Sequence, residues 1–241
     1  IVISYNSELT INKTIESIKS QNFYDYEVIF IDSLSKDKTL QIIKKSKIKN
    51  STIIHEKDNG IYDALNKGIE HANGKYIINL HSDNYFINNN VLLDIFKKLH
   101  QSNLDCLYSD IEIRNLKTDK VIRFCKSQDY KYNLFQNGWM PNHPSLVLKK
   151  EILKDIKYDI SYKVSADYKL MIYLLHIKKI SNYYLSKTTI VMGSGGISNS
   201  SIKNILFANY ECYKILYNYN FNFVFLIIIK KLLKKLRQIR F

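Results

Sequence analysis

The chain has 241 residues, of which 46% are hydrophobic and 24% charged, with only 7 Gly and 2 Pro. That composition gives one substantial domain, with or without a small appendage, and excludes a disordered tail or a collagen-like or linker-dominated chain. Lys and Arg total 36 against 22 Asp and Glu, a net charge of +14, so the field draws the chain toward an anionic partner: nucleic acid, a phospholipid surface or a phosphorylated substrate. No run of about 18 uncharged apolar residues occurs, and no transmembrane helix is expected. Cys106, Cys125 and Cys212 are odd in number and widely spaced, which fits a reducing cytosol and neither a disulfide framework nor a zinc pattern. Ile1 opens an apolar run without a basic leader, and we expect a start trimmed by little and no signal peptide.

In chain order, Ile1–Tyr5 reads as a short buried strand. Ser7 then reads as the N-cap of a helix with Ile11, Ile15 and Ile18 on one face. Glu27–Ile31 is a second strand ending at Asp32. A polar turn opens a helix burying Leu40, Ile42 and Ile43, and Thr52–Ile54 is a third strand. From Ile61 to Ala72 the apolar residues recur at i, i+3, i+4 and i+7, the clearest helix, stopped by Asn73-Gly74. Tyr76–Leu80 is the fourth strand. This β-α-β-α-β-α-β order predicts an α/β fold with a doubly wound, mostly parallel sheet. Ligands of such sheets sit beyond the carboxyl ends of the strands. Those ends carry Tyr5-Asn6, Asp32 and His81-Ser82-Asp83. Neither the dinucleotide fingerprint nor a P-loop is present.

The second half is less regular. We expect a helix over Leu92–Leu99, strands at Leu104–Tyr108 and Val121–Cys125, and an irregular loop over Asn137–Pro144. A helix over Val164–Ile177 follows, then strands at Tyr183–Leu185 and Thr188–Met192, a turn at Gly193–Gly196 and a helix over Ile202–Tyr217.

Several ordered motifs then agree. They are Tyr5-Asn6, Ser17–Gln21, Asp32-Ser33-x-Ser35-x-Asp37-x-Thr39, Glu56-x-Asp58-Asn59-Gly60 running on to Gly68, and His81-Ser82-Asp83. Downstream come Pro141-Asn142-His143-Pro144 and Ser165-Ala166-Asp167-Tyr168. Over roughly residues 1 to 200 this succession resembles the family 2 glycosyltransferases, which have the GT-A fold. The resemblance implies an inverting transfer of sugar from a nucleoside-diphosphate donor, usually UDP-linked, to a glycan or lipid-linked saccharide. It divides the chain into a nucleotide half, 1–100, and an acceptor half, 101–220.

The resemblance also implies roles. Asp32 accepts hydrogen bonds from the nucleotide base, with Tyr5 and Asn6 lining the same pocket; taken alone, Asp32 is a capping or turn residue and Tyr5-Asn6 a strand-terminal turn. Lys67, beside Asn66, is a phosphate contact or a solvated surface cation. Asp63 is a site residue or a carboxylate stabilised by its helix dipole. Asp83 is the ligand of Mn²⁺ or Mg²⁺, hard cations that take oxygen donors and offset charge on the leaving diphosphate. His81 replaces the first acid of the family's Asp-x-Asp, and Asn84 stands where many relatives have a further Asp, so strict metal dependence is in question. Asp167 is the general base, favoured by a partly dry cleft, or a helix N-terminal Asp. His143 orients an acceptor group or stabilises its loop. Asp110 and Trp139 are weaker candidates for sugar contact, and Trp139 is equally a core residue. His55, His71, His100 and His176 lack metal spacing and read as structural.

Residues 221–241 form a tail. Phe225, Ile228, Ile229, Leu232, Leu236 and Ile239 share a helical face, and six Lys and Arg occupy mostly the others. We expect an interfacial helix on an anionic leaflet, on the cytoplasmic face of a bacterial inner membrane, where each cation adds about 1 kcal/mol. The alternative is a terminal helix packed on the domain. Two other functions compete: a basic nucleic-acid-binding module, using aromatics such as Tyr130 and Tyr132 to stack bases, and a transferase-like protein without catalysis, suggested by His81 and Asn84. We expect no nucleic-acid partner, because the strand ends carry carboxylates and the positive charge concentrates in the tail.

Overall fold

The computed structural model describes residues 1–194 and 202–238. Its first half alternates strand and helix: β1 (Val2–Ser4), α1 (Ile11–Lys19), β2 (Val28–Asp32), α2 (Thr39–Lys45), β3 (Ser51–His55) and α3 (Ile61–His71). The short strands β4 (Tyr76–Ile78), β5 (Leu80–His81) and β6 (Asn84–Phe86) follow, then α4 (Val91–Ser102). The second half holds β7 (Cys106–Arg114), β8 (Val121–Cys125), β9 (Val147–Lys149), α5 (Ala166–Met171), β10 (Asn182–Gly193), α6 (Ile202–Asn218) and α7 (Val224–Leu236).

A four-stranded parallel sheet in the order β3-β2-β1-β5 lies in the first half of the chain, and a mixed six-stranded sheet is built from β4, β9, β7, β10 and β6, with β8 beside β7. The apolar strand residues Val28–Ile31 are fully buried because helices cover both faces. Helix α1 contributes Ile11, Ile15 and Ile18, each stabilising by about 1.5–3 kcal/mol on burial.

The structure redraws several expected elements. The fourth strand is two: Ile78 pairs with Val147 in the mixed sheet, while Leu80 pairs with Val2 in the parallel one. The chain changes sheets at Asn79, whose amide donates to the Tyr158 hydroxyl at 3.1 Å. Ser7 caps α1 only through its backbone carbonyl, which accepts from Thr10 and Ile11. Of the expected α2 core, Ile43 is buried and Leu40 and Ile42 are half-exposed. The expected helix over 164–177 starts at Ala166 and widens to a π-helix over Ile172–Ile177. The two expected strands after it are one, β10, whose register slips against β7 between Leu185 and Thr188. In the expected glycine turn, Gly195 and Gly196 lie outside the described residues, as do Ile239 and Arg240 of the tail.

Helix α7 does pack on the domain. Val224, Ile227 and Ile228 join the main core, with Cys212, Ile215 and Leu216 of α6, so no break in packing separates the tail from residues 1–220. Of the expected common apolar face, Ile228 is inward and Leu232 lines the cleft described below, while Phe225, Ile229 and Leu236 face out. The seat of the helix is Gly138, which has φ +67° and where a Cβ would lie 2.4 Å from the Lys231 backbone nitrogen.

Candidate functional site

The carboxyl ends of the parallel strands open on a cleft of about 1030 Å³. Its walls include Tyr5 and Asn6 after β1, Asp58 and Gly60 before α3, and His81, the last residue of β5, with Ser82 and Asp83 after it. Trp139 to Pro144 from the second half, Val164, Ser165 and Asp167 around the start of α5, Arg123, Cys125 and Lys126 at the end of β8, and the inner face of α7 also line it.

The motif after β2 is a lock between two strand ends. Asp32 is 0% exposed, and its two oxygens accept four hydrogen bonds: from the Ser4 and Ser35 hydroxyls at 2.9 and 2.5 Å, the Ser35 backbone at 3.0 Å and His55 Nδ1 at 2.7 Å. A carboxylate has about four lone-pair sites, so a nucleotide base can reach Asp32 only by displacing one of these partners. Asp37 accepts the backbone N–H of Thr39 and of Glu8, and the Thr39 hydroxyl accepts that of Ser7. Asn6, at φ 45°, donates its N–H to Ser35 and accepts from Lys36. What remains free at the rim is Tyr5, 60% exposed.

The loop before α3 is similarly tied. Asp58 accepts from Gly60, whose φ of 114° suits only glycine although nothing crowds it. Asp63 accepts the Asn59 N–H at 2.9 Å, and Lys67 bridges Glu56 at 2.8 Å and the Lys57 carbonyl at 2.7 Å. Asn66 is buried, trading hydrogen bonds with both backbone groups of Tyr158 at 2.9 Å. Asp63, Asn66 and Lys67 therefore shape this loop and do not line the cleft. Nor does Asp110, whose Oδ1 accepts from the Ser127 backbone and the Tyr184 hydroxyl beneath the mixed sheet.

Asp83 and His81 both face the cleft. Burial raises the Asp83 carboxyl above the ordinary range. Burial, aided by His143, pushes His81 down to about 4, which keeps the imidazole neutral, and its buried Nε2 has no partner. One carboxylate and one neutral imidazole fit a cation completed by phosphate and water. Among the described residues no set of three or more His, Cys, Asp or Glu side chains could hold a metal unaided. Asn84 is fully buried in β6 and outside the cleft; an ionised Asp there would be a charge with no partner.

Asp167 occupies the first turn of α5. Its Oδ1 accepts the Tyr168 N–H at 2.8 Å and the Tyr62 hydroxyl at 3.0 Å. The loop leading to it hangs on Glu211 of α6, whose carboxylate accepts the N–H groups of Lys163, Val164 and Ser165 at 2.8–2.9 Å. His143 lies near the same wall, with Nε2 2.8 Å from the Tyr158 hydroxyl. Trp139 is at once core and floor: 8% exposed, it meets Phe135 and Tyr108 edge-on and lines the cleft.

Sequence reasoning missed Tyr62 and Glu211, while His55, read as structural, is a structural partner of Asp32. Glu211 had a signal: a carboxylate between Ala208 and Cys212 on the apolar side of a helix. It also missed that Lys231, Lys234 and Lys235 of the tail enter the cleft wall.

Comparison with known proteins bears on the fold and the family. The profile described as Glycosyl transferase family 2 matches residues 1–157. The chain is 28% identical over 182 residues to WfgD of Escherichia coli, a UDP-Glc:alpha-D-GlcNAc-diphosphoundecaprenol beta-1,3-glucosyltransferase, covering 75% of this chain and 70% of that one. It is 28% identical over 212 residues to WfaP of the same organism, which carries the same description, covering 86% and 81%. Among solved structures, S. aureus TarS has a TM-score of 0.62 at 20% identity, over 88% of this chain but only 38% of TarS. The mannosyltransferase PcManGT of Pyrobaculum calidifontis, in complex with GDP-Man and Mn²⁺, has a TM-score of 0.65 at 16% identity, over 90% of this chain and 62% of that one. These likenesses establish a GT-A fold, and the profile covers most of the chain: the protein belongs to glycosyl transferase family 2.

Proposed function

We propose that the protein is an inverting hexosyltransferase that moves a sugar from a UDP-sugar to a lipid-linked saccharide during surface polysaccharide assembly. The observation that carries this reading is that Asp83 and Asp167 face one cleft at the carboxyl ends of the parallel strands. The acceptor named for WfgD and WfaP, a sugar diphosphate lipid, supports the acceptor class.

In this reading residues 1–100 hold the nucleotide, with the exposed Tyr5 ring against the base and the Asp32 lock keeping the β1 and β2 loops rigid. Asp83 and His81 would hold Mn²⁺ or Mg²⁺, which supplies positive charge against the departing diphosphate. Residues 101–220 shape the acceptor side, with Trp139 beneath the sugar and His143 beside it. Asp167 takes the proton of the acceptor hydroxyl as that oxygen bonds to the anomeric carbon. The bond from that carbon to the diphosphate breaks on the opposite face, and the electron pair leaves with UDP. Tyr62 and Tyr168 hold Oδ1, leaving Oδ2 for the proton. No described helix is long and apolar enough to cross a membrane; the outward Phe225, Leu226, Leu233 and Leu236 of α7 would rest in the surface of an anionic cytoplasmic leaflet.

The test combines calorimetric titration of UDP, with and without Mn²⁺, and turnover of UDP-sugars by the wild type, Asp83→Asn and Asp167→Asn. The wild type binds UDP more tightly with Mn²⁺, and Asp83→Asn loses that gain. Asp167→Asn keeps its UDP affinity and loses about 10²–10⁴-fold in turnover, the range of general-base removal. Undiminished turnover in Asp167→Asn removes it from the mechanism, and no binding of UDP, GDP or dTDP overturns the transferase reading.

A further inference from the structure

The cleft is electrically divided. The carboxylates that line it, Asp58, Asp83 and Asp167, come from the strand ends and the start of α5. Of the cations that line it, Lys163 lies in the loop before Asp167, and the rest gather on one wall: Arg123 on β8, Lys126 just after it, and Lys231, Lys234 and Lys235 on α7. Basic residues on a terminal helix ordinarily turn to water, where their charge is solvated. Here the packing turns three of them in. Gly138 admits the α7 backbone so closely that a Cβ would strike Lys231. At the far end of the helix, Arg123 donates to the Gln238 side chain at 2.9 Å and the Phe124 N–H to its carbonyl at 3.2 Å.

Gathering like charges is unfavourable, and the side chains register it. Burial lowers the Lys235 ammonium, and Arg123 and Lys231 lower it further. Burial and Lys230 do the same to Lys234. Lys231 Nζ rests 2.8 Å from the Cys212 sulfur and 4.8 Å from the centre of the Tyr168 ring. Among the described residues no carboxylate forms an ion pair with Lys231 or Lys234. Lys231 and Lys234 therefore keep ammonium charge available to an anion that enters the cleft. One diphosphate carries two to three negative charges and many acceptor oxygens, which suits a cluster of ammonium groups and one guanidinium. Outside the cluster α7 exposes Phe225, Leu226, Leu233 and Leu236, an apolar border for the chain of an amphiphile.

From this we infer that Arg123, Lys126, Lys234 and Lys235 form a subsite, separate from the donor's, for the diphosphate of a lipid-linked acceptor. The inference rests on the transferase reading for the word acceptor. The anion site itself stands on the geometry of α7 and β8.

The test titrates farnesyl diphosphate, and farnesol as its uncharged counterpart, into the full chain saturated with UDP, so that the donor's diphosphate position is filled. The variants are Lys234→Gln/Lys235→Gln and, separately, the exposed Lys126→Gln, which no packing depends on. Sedimentation with phosphatidylcholine vesicles, with and without phosphatidylglycerol, reports headgroup binding, and thermal melts report folding. We expect farnesyl diphosphate to bind far more tightly than farnesol. The double variant should weaken that binding by about tenfold or more and Lys126→Gln by a smaller factor, with UDP affinity unchanged and the fold intact. Equal binding of diphosphate and alcohol, or undiminished binding by both variants, overturns the subsite. Equal loss of UDP affinity gives these cations to the donor and also overturns it. So does loss of phosphatidylglycerol-dependent sedimentation with farnesyl diphosphate binding intact, which makes them a headgroup contact. If the wild type binds no UDP yet the diphosphate results hold, the transferase reading falls and the anion subsite stands.

Discussion

The Tyr62 hydroxyl of α3 lies 3.0 Å from Asp167 Oδ1 and 2.7 Å from the Val164 carbonyl, spanning 105 residues of sequence to reach the start of α5. A phenol carries one proton, so it alternates between these acceptors and holds the carboxylate and its loop together. Its own ionisation is pushed far up by burial and then by the Asp167 charge, so it stays a donor at all working pH values. Tyr62→Phe keeps the ring, stacked on Tyr158 with centroids 5.5 Å apart, and removes only the hydroxyl. Turnover should fall about tenfold and stability by about 1 kcal/mol, the usual size of one such bond. UDP affinity should not change. A loss of UDP affinity equal to the loss of turnover would show that Tyr62 serves the nucleotide instead.

Glu211 supports the same loop from behind, accepting three consecutive backbone N–H groups. Replacing it with Ala leaves buried donors unsatisfied, each costing about 1–3 kcal/mol. Glu211→Ala should therefore lower stability by several kcal/mol, and Glu211→Gln, which keeps one acceptor, by less. In Glu211→Gln turnover should drop while UDP affinity holds, because the loop presents Asp167 and not the donor side. Normal turnover in a folded Glu211→Gln would mean that the bonds made by one of the two carboxylate oxygens are dispensable.

What the sequence made legible follows from periodicity and local motif. The parallel half was readable because each strand is a short apolar run and each helix, as in Ile61–His71, repeats its apolar residues at helical spacing. Tyr5, Asn6, His81, Asp83, Trp139, His143 and Asp167 could be gathered in advance because strand ends and ordered motifs imply one cleft. Asn66 and Asp110 could not be sorted from true lining residues. Their partners, Tyr158 and Tyr184, lie 92 and 74 residues away, and no local pattern encodes them. The change of sheet at Asn79 was hidden for the same reason: a five-residue strand-like run with one polar residue looks identical whether it stays in one sheet or changes sheets midway. The tail read as amphipathic, yet which side turns inward was decided by Gly138, 93 residues before Lys231.

Gly138 gives the third prediction. Its φ of +67° is costly for other residues, and a Cβ would overlap the Lys231 backbone nitrogen and the Ile227 carbonyl, at 2.4 and 2.9 Å. Backbone atoms cannot swing aside as a side-chain end can, so Gly138→Ala must lift α7 from the domain. Stability should fall by about 1–3 kcal/mol or more, and trypsin should cut sooner at Lys230 and Lys231. Wild-type resistance to trypsin in Gly138→Ala would mean that α7 is not held at this contact.

The last prediction concerns pH. His143 is buried, and burial lowers its pKa from the ordinary 6.5, only partly opposed by the Asp167 charge. Its ring meets the Tyr158 hydroxyl at 2.8 Å, and His81, which it repels when charged, is itself held down to about 4. The unfolded chain therefore takes up a proton near pH 6.5 while the folded chain does not. Whenever the unfolded state binds more protons, stability rises with pH. Above pH 6.5 both forms are neutral and the effect vanishes; as pH falls below 6.5 the folded state loses stability until the folded pKa is reached. His143→Gln cannot take up this proton and retains a polar group for Tyr158. Denaturant midpoints measured from pH 7.5 to 5 should drop more steeply for the wild type than for His143→Gln, with the residual slope including His81. Parallel slopes would show that His143 protonates as readily folded as unfolded, and that the wall around it admits water.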